Sequence, residues 1–131
     1  MPILDVKKDV SYCVGSFGEG LDHPECVTWG SDGYAYAGGE GGQLYRINVT
    51  ENKYEQFSQA SHFVGGMCQD GSGNLYFCSG NKVYKTNSKG EISEYSSGTP
   101  AVPMVGPNYP AFDTDGTVSY THLTLPTILL V

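Results

Sequence analysis

The sequence predicts an all-β chain built from repeated, antiparallel four-stranded units. Three observations predict it. Apolar and polar residues alternate in short runs interrupted by Gly, Asn and Asp, the period-two pattern of half-buried strands. Glycine is very frequent (18 residues) and tyrosine frequent (10) in the 131-residue chain, and no window carries a helical period. The pattern also recurs. With the turn glycines Gly33, Gly73 and Gly116 aligned, Glu25, Gly65 and Asn108 fall together, 40 and 43 residues apart.

The units follow a lead-in at residues 1–16. The first, at 24–57, supplies the strands "ECVTW", "YAYAGG", "QLYRIN" and "KYEQF". The second, at 63–95, supplies "GMCQD", "NLYFCS", "KVYKTN" and "ISEYS", and a third begins at 107–117 with "PNYPAFDTDGT". The stretches "SDG", "GSGN", "NSKG" and "DTDG" are hairpin turns, where Gly and Asn take positive φ at little cost. "GEGG" at 39–42 lacks a following lysine and helix, so it reads as a turn and not as a phosphate cradle. A period near 40 made of strands alone is the signature of β-propeller blades. Closure of such a ring takes roughly four to eight blades, so residues 17–117 are expected to be a truncated β-propeller of about two and a half blades.

The end of the chain breaks the pattern. "VSYTHLTLPT", starting at Val118, back-translates as GTC TCT TAT ACA CAT CTG ACG CTG CCG ACG, which resembles a transposase-type sequencing adapter. Residues 118–131 are therefore expected to be a non-native, adapter-derived tail, and His122, Pro126 and "ILLV" are set aside.

Composition bounds the partners. Asp and Glu outnumber Lys and Arg by 14 to 7, giving a net charge of −7. That balance argues against a nucleic-acid backbone or an anionic membrane, since both reward positive charge. No apolar run approaches a membrane span, and "MPILDVKKDV" lacks the apolar core of a signal peptide. The four cysteines, Cys13, Cys26, Cys68 and Cys78, show no metal-ligand spacing. Three of them sit in apolar strand-like runs, so free thiols and a reducing, cytoplasmic setting are expected. "NVT" at 48–50 matches a glycosylation sequon, a single match easily produced by chance.

Three stretches carry a family resemblance. "GEGLDHPECVTW", "GGMCQDGSGNLYFC" and "GPNYPAFDTDGT" resemble motifs of the senescence marker protein/gluconolactonase/luciferin-regenerating enzyme-like family of six-bladed propellers. The resemblance covers residues 17–117, less than half of such a domain. It implies a metal-dependent lactonase or ester hydrolase, with a divalent cation polarising a lactone or ester carbonyl at the top of the central channel. Calcium is the first choice, with magnesium, zinc or manganese as alternatives. By position, the family's metal-ligating Glu falls on Glu25 and its substrate-side Asn on Asn108. The repeat alignment agrees, placing both at the start of an innermost strand. Glu19, in "GEG", is the alternative ligand. Tyr109 stands where the family often carries Asp, and Gly65 adds no side chain to the second unit.

Other residues have plainer readings. His23, beside Pro24, and His62, in the connection "SQASHF", are candidates for acid–base chemistry but sit where structural histidines are common. Trp29, Tyr36, Tyr45, Tyr76 and Tyr84 are expected to pack between blades, and Asp113 and Asp115 to form a turn. No Ser-His-Asp or Cys-His arrangement is visible. Two further classes remain open, a non-catalytic NHL-type binding scaffold and a strictosidine-synthase-like propeller. The polypeptide as written is expected to be inactive.

Overall fold

The computed structural model describes residues 18–122, and they fold as strands without any α-helix. The first unit is a four-stranded antiparallel sheet of β1 (Val27–Trp29), β2 (Ala35–Gly38), β3 (Gln43–Asn48) and β4 (Lys53–Gln59), paired in sequence order. The second repeats it with β5 (Val64–Gln69), β6 (Leu75–Ser79), β7 (Lys82–Thr86) and β8 (Ile92–Ser96). A hairpin of β9 (Pro107–Phe112) and β10 (Val118–His122) opens a third. The sheets stack through β1, β5 and β9, with β5 lying between the other two.

One turn recurs between the first and second strand of each unit. Gly33, Gly73 and Gly116 stand at φ +84°, +83° and +80°, a region that a side chain makes costly. Their N–H groups donate to Gly30, Asp70 and Asp113 at 3.1, 3.1 and 3.2 Å. In the later two units the aspartate carboxylate closes the loop as well. Asp70 Oδ1 accepts from the N–H of Ser72 and Asn74, and Asp113 Oδ1 from those of Asp115 and Thr117, all at 2.9 Å. Asp113 is thus a turn former, and the same local grammar sets the strand spacing three times.

Two of the three core clusters lie between sheets, and the third covers the outer face of the first sheet with Leu21 of the entry segment. Strand β6 shows the principle, since all five of its residues are buried. Leu75 and Phe77 face the first sheet, in a cluster with Tyr36, Leu44, Val64 and Met67. Tyr76 and Cys78 face the other way, onto Val83, Met104, Phe112 and Tyr120. Alternation along one strand therefore feeds two cores. Glycine makes the close approaches possible. A Cβ on Gly38 would come within 2.5 Å of Val64 Cβ, so the second strand of one unit meets the first strand of the next with only hydrogen between them.

The expected packing between units holds for buried Tyr36 and Tyr76 and for half-buried Tyr84, which stacks on Phe77 with centroids 5.7 Å apart, whereas Tyr45 is buried on the outer face of the first sheet with Ala35, Ala37 and Ile47. Trp29 departs from it. It is 64% exposed, two residues from Val27 at 60%, because alternation turns both away from the second sheet. Among the described residues, no sheet covers that side of β1.

Val118–His122 takes up the second strand of the third unit, pairing Val118 with Phe112 and Tyr120 with Pro110. A back-translation bears on the origin of these residues and the pairing on their conformation, and the two are independent. Residues 123–131 and the lead-in at 1–16, with Cys13, lie outside the described residues.

Cys26 and Cys78 are buried, Cys68 is half-buried, and all three are free thiols. Burial pushes Cys68 up to about 11 and Cys78 up to about 12, and it raises Cys26 as well. Because the thiolate is the nucleophile, these groups resist attack while the sheets stay stacked. A Cys13→Ser variant is expected to show no fast reaction with a disulfide reagent at pH 8, and three equivalents in denaturant. Rapid native labelling of Cys68 or Cys78 contradicts the packing described. Among the described residues, no helix is long and apolar enough to cross a membrane.

Candidate functional site

The sequence-predicted residues come to one end of the stack. Glu25 lies two residues before β1, Gly65 is the second residue of β5, and Asn108 is the second residue of β9. Lateral contacts tie these places together. The Cys26 thiol donates to the Gly65 carbonyl at 2.8 Å, and a Cβ on Gly65 would lie 2.8 Å from the Asn108 carbonyl oxygen. Since β2 and β6 run antiparallel to β1 and β5, their outgoing turns, at 39–42 and 80–81, reach the same end.

Glu25 is exposed, at the rim of an open pocket of about 330 Å³ walled by Leu21, Cys26, Val27, Ala37 and Ile47. Asn108 is half-buried and opens into a separate cavity of about 220 Å³ between the second and third units. Among the described residues, neither side chain has a hydrogen-bonding partner. Their oxygens are hard donors, of the class that calcium and magnesium prefer. Two donors are a fraction of the six to eight oxygens that calcium takes, in the usual range.

Glu19 is placed elsewhere. Its turn runs from Gly18 to Leu21, with the Leu21 N–H donating to the Gly18 carbonyl at 3.2 Å. The Gly18 N–H points to Asn52 Oδ1 at 3.4 Å, and Gly20 sits beside the Tyr54 hydroxyl. Those neighbours belong to the outer hairpin of the first sheet, so Glu19 does not share the inner-strand end with Glu25.

A charged group not anticipated from the sequence sits beside Glu25. Asp22, His23 and Glu40 bring their ligand atoms within 4.8 Å of one another. His23 Nδ1 lies 3.1 Å from Asp22 Oδ1 and 3.2 Å from Glu40 Oε2, with the backbone at φ +38°. Asp22 Oδ2 also accepts from the Gly41 N–H at 3.0 Å and from Gln43 Nε2 at 3.1 Å. The Gly41 bond, followed by the His23 and Gln43 bonds, holds the Asp22 carboxyl below the usual carboxylate range. The bond to Asp22, followed by the Glu40 charge, raises His23 above the ordinary histidine value. The group already satisfies itself, and it latches the entry segment onto the β2–β3 turn. Its only trace in the sequence is the pair "DHPE" at 22–25 and "GEGG" at 39–42, with His23 and Glu40 17 positions apart.

A second histidine, His62, stands near Asn108. It is exposed at the end of the connection between the sheets, and its ring lies over Gly80, where a Cβ would meet Cδ2 at 3.3 Å. Its carbonyl accepts from the Ser79 hydroxyl at 2.9 Å. His62 and Asn108 line the same cavity.

No family model matches the chain, and no curated protein matches it. Solved structures do. A catalytically inactive virginiamycin B lyase from Staphylococcus aureus, with quinupristin, is 20% identical at TM-score 0.61, covering 80% of this chain and 36% of that one. The selenomethionine-substituted form of virginiamycin B lyase from the same organism is 16% identical at TM-score 0.56, covering 79% and 42%. A streptogramin B lyase structure is 22% identical at TM-score 0.57, also covering 79% and 42%. The chain has the fold of part of a β-propeller. It spans about two fifths of the length of the propellers it matches. At these identities the likeness extends to the fold alone.

Proposed function

We propose that this chain is part of a propeller hydrolase of the gluconolactonase-like family, which opens a lactone or ester with the help of a divalent cation. Glu25 would hold the cation, calcium in the first instance, and Asn108 would meet the substrate. The observation that carries the reading is the shared end of three adjacent inner strands, where Glu25 and Asn108 stand with their polar groups unengaged by the described residues. A bound cation of this kind acts as a Lewis acid on a carbonyl oxygen. The chain's net charge of −7 is compatible with a cation as partner. The lyases matched by fold carry virginiamycin B and streptogramin B in their names, and nothing in this chain ties it to those molecules.

The chain alone is proposed to be inactive, because two oxygen donors leave most of a calcium shell unfilled. Calcium titrated into the purified chain is expected to bind weakly, with Kd roughly millimolar, and to shift the Glu25 side-chain resonances. Glu25→Gln should abolish those shifts, while Glu19→Gln should not. Binding unchanged in Glu25→Gln removes the metal role from this residue. Calcium-stimulated lactone hydrolysis by the chain would remove the proposal of inactivity. One feature favours a non-catalytic binding scaffold instead. At the equivalent place in the second unit, Gly65 is packed against the Asn108 carbonyl and offers no group to a ligand.

A further inference from the structure

The first and second sheets present unlike faces on the side of the preceding chain. The face of the second sheet that meets the first carries Leu75 and Phe77. Forty residues earlier, the equivalent positions of the first sheet are Ala35 and Ala37, on its outer face with Tyr45 and Ile47. The missing bulk leaves an open hollow of about 330 Å³ walled by Leu21, Val27, Ala37 and Ile47. Register places Val27 opposite Ala37 and Trp29 opposite Ala35, so both stand on this face, and both are exposed. Among the described residues, the apolar side chains packed onto it are Leu21 and Val49. The chain enters the described structure on the same face. At Gly18 a Cβ would lie 2.8 Å from Leu21 Cδ1 and 4.0 Å from Ile47 Cδ1. The sequence before it, "VSYCVGSF" from Val10 to Phe17, sets Val10, Tyr12 and Val14 in period-two alternation. Strand β1 lies two places from β3 in the sheet, a distance of roughly 10 Å. The stretch from Val10 to Phe17 reaches about 26 Å when extended, which is ample.

We propose that the outer face of the first sheet is the docking surface for the chain's own segment Val10–Phe17, which crosses from Ile47 towards Val27 and Trp29. Val10, Tyr12, Val14 and Phe17 supply the bulk that Ala35 and Ala37 withhold. The small residues favour a single segment with large side chains of its own over a further four-stranded unit, which meets its neighbour here through residues such as Leu75 and Phe77. With Val10, Tyr12 and Val14 turned to the sheet, Cys13 faces solvent. The contact asks nothing of Glu25 as a cation ligand or of Asn108, so it stands apart from the proposed function.

The test uses the full chain, with a nitroxide on Cys13 as the probe and the fluorescence of Trp29, the only tryptophan, as the readout. Cys26 and Cys78 are buried and Cys68 half-buried, so brief labelling that attaches one nitroxide per chain selects Cys13, which mass spectrometry verifies. The label is expected to remove most of the Trp29 emission, equally at every protein concentration, and urea should restore it. Val14→Asp should restore the emission without urea while circular dichroism still reports the strands. If that variant does not fold, the dilution series on the otherwise unsubstituted chain decides. Emission undiminished in the folded, labelled chain overturns the proposal. Quenching that fades on dilution gives the face to a second copy of the chain and overturns it as well.

Discussion

Replacing Phe77 with alanine is expected to leave the chain without a stable fold. Phe77 is fully buried in β6, where its ring stacks on Tyr84 and fills the space between the first and second sheets. Deleting a buried phenylalanine ring typically costs about 3–5 kcal/mol, from lost transfer energy and the cavity left behind. A small domain holds only about 5–15 kcal/mol in total. The site cannot collapse easily, because its neighbours are held in paired strands, Leu44 between β2 and β4 and Val64 and Met67 against β6. Urea unfolding followed by circular dichroism gives the answer. A loss under about 1 kcal/mol would mean that the two sheets do not share this core. Phe77→Leu, which keeps most of the volume, should retain much of the stability.

The second large effect concerns the junction of the second and third units. A methyl group on Gly66 would overlap the Tyr109 ring and approach Tyr109 Cα to 2.7 Å. A side chain can rotate away, but backbone cannot, so Gly66→Ala must push β5 and β9 apart. Overpacking of this kind costs about 1–3 kcal/mol, occasionally more. The upper end is expected here, because the obstacle includes main chain. The damage should be local, with Cys68 and Met104 gaining exposure while the first sheet is unaffected. Thermal unfolding together with the labelling rate of Cys68 separates local from global loss. Combining Gly66→Ala with Tyr109→Ala should recover only part of the deficit, since the Cα conflict remains. Full recovery would show that the ring alone sets the approach.

These two positions show what a sequence reveals and what it withholds. Strands, turns and their period were legible because each rests on local chemistry. Gly33, Gly73 and Gly116 need positive φ, and the short apolar runs around Tyr36 and Phe77, bounded by turn residues, fit strands. Gly65 and Gly66 were legible as glycines but not as contacts, since the reason for them is a strand more than forty residues away. Without that partner, Gly65 reads as a missing ligand instead of a close approach. Trp29 shows the converse. An aromatic residue in a strand argues for packing, yet which side of β1 has a neighbour depends on the order of sheets. The cluster of Asp22, His23 and Glu40 depended on a turn folding back over the entry segment, and no spacing rule encodes that. Glu25 and Asn108 could be paired from the sequence because the repeat itself acts as a ruler.

Strand β6, buried on both faces, has a consequence for how the chain comes apart. The second sheet is a party wall, owned in common by the units on either side, so its stability is borrowed from its neighbours. Free energy in such a stack is carried by nearest-neighbour couplings along one dimension. Among the described residues, the second sheet is coupled on both sides, while the first sheet and the β9–β10 hairpin are coupled on one. Disorder therefore enters from the ends and works inward, and the strands that open last are those of the middle unit.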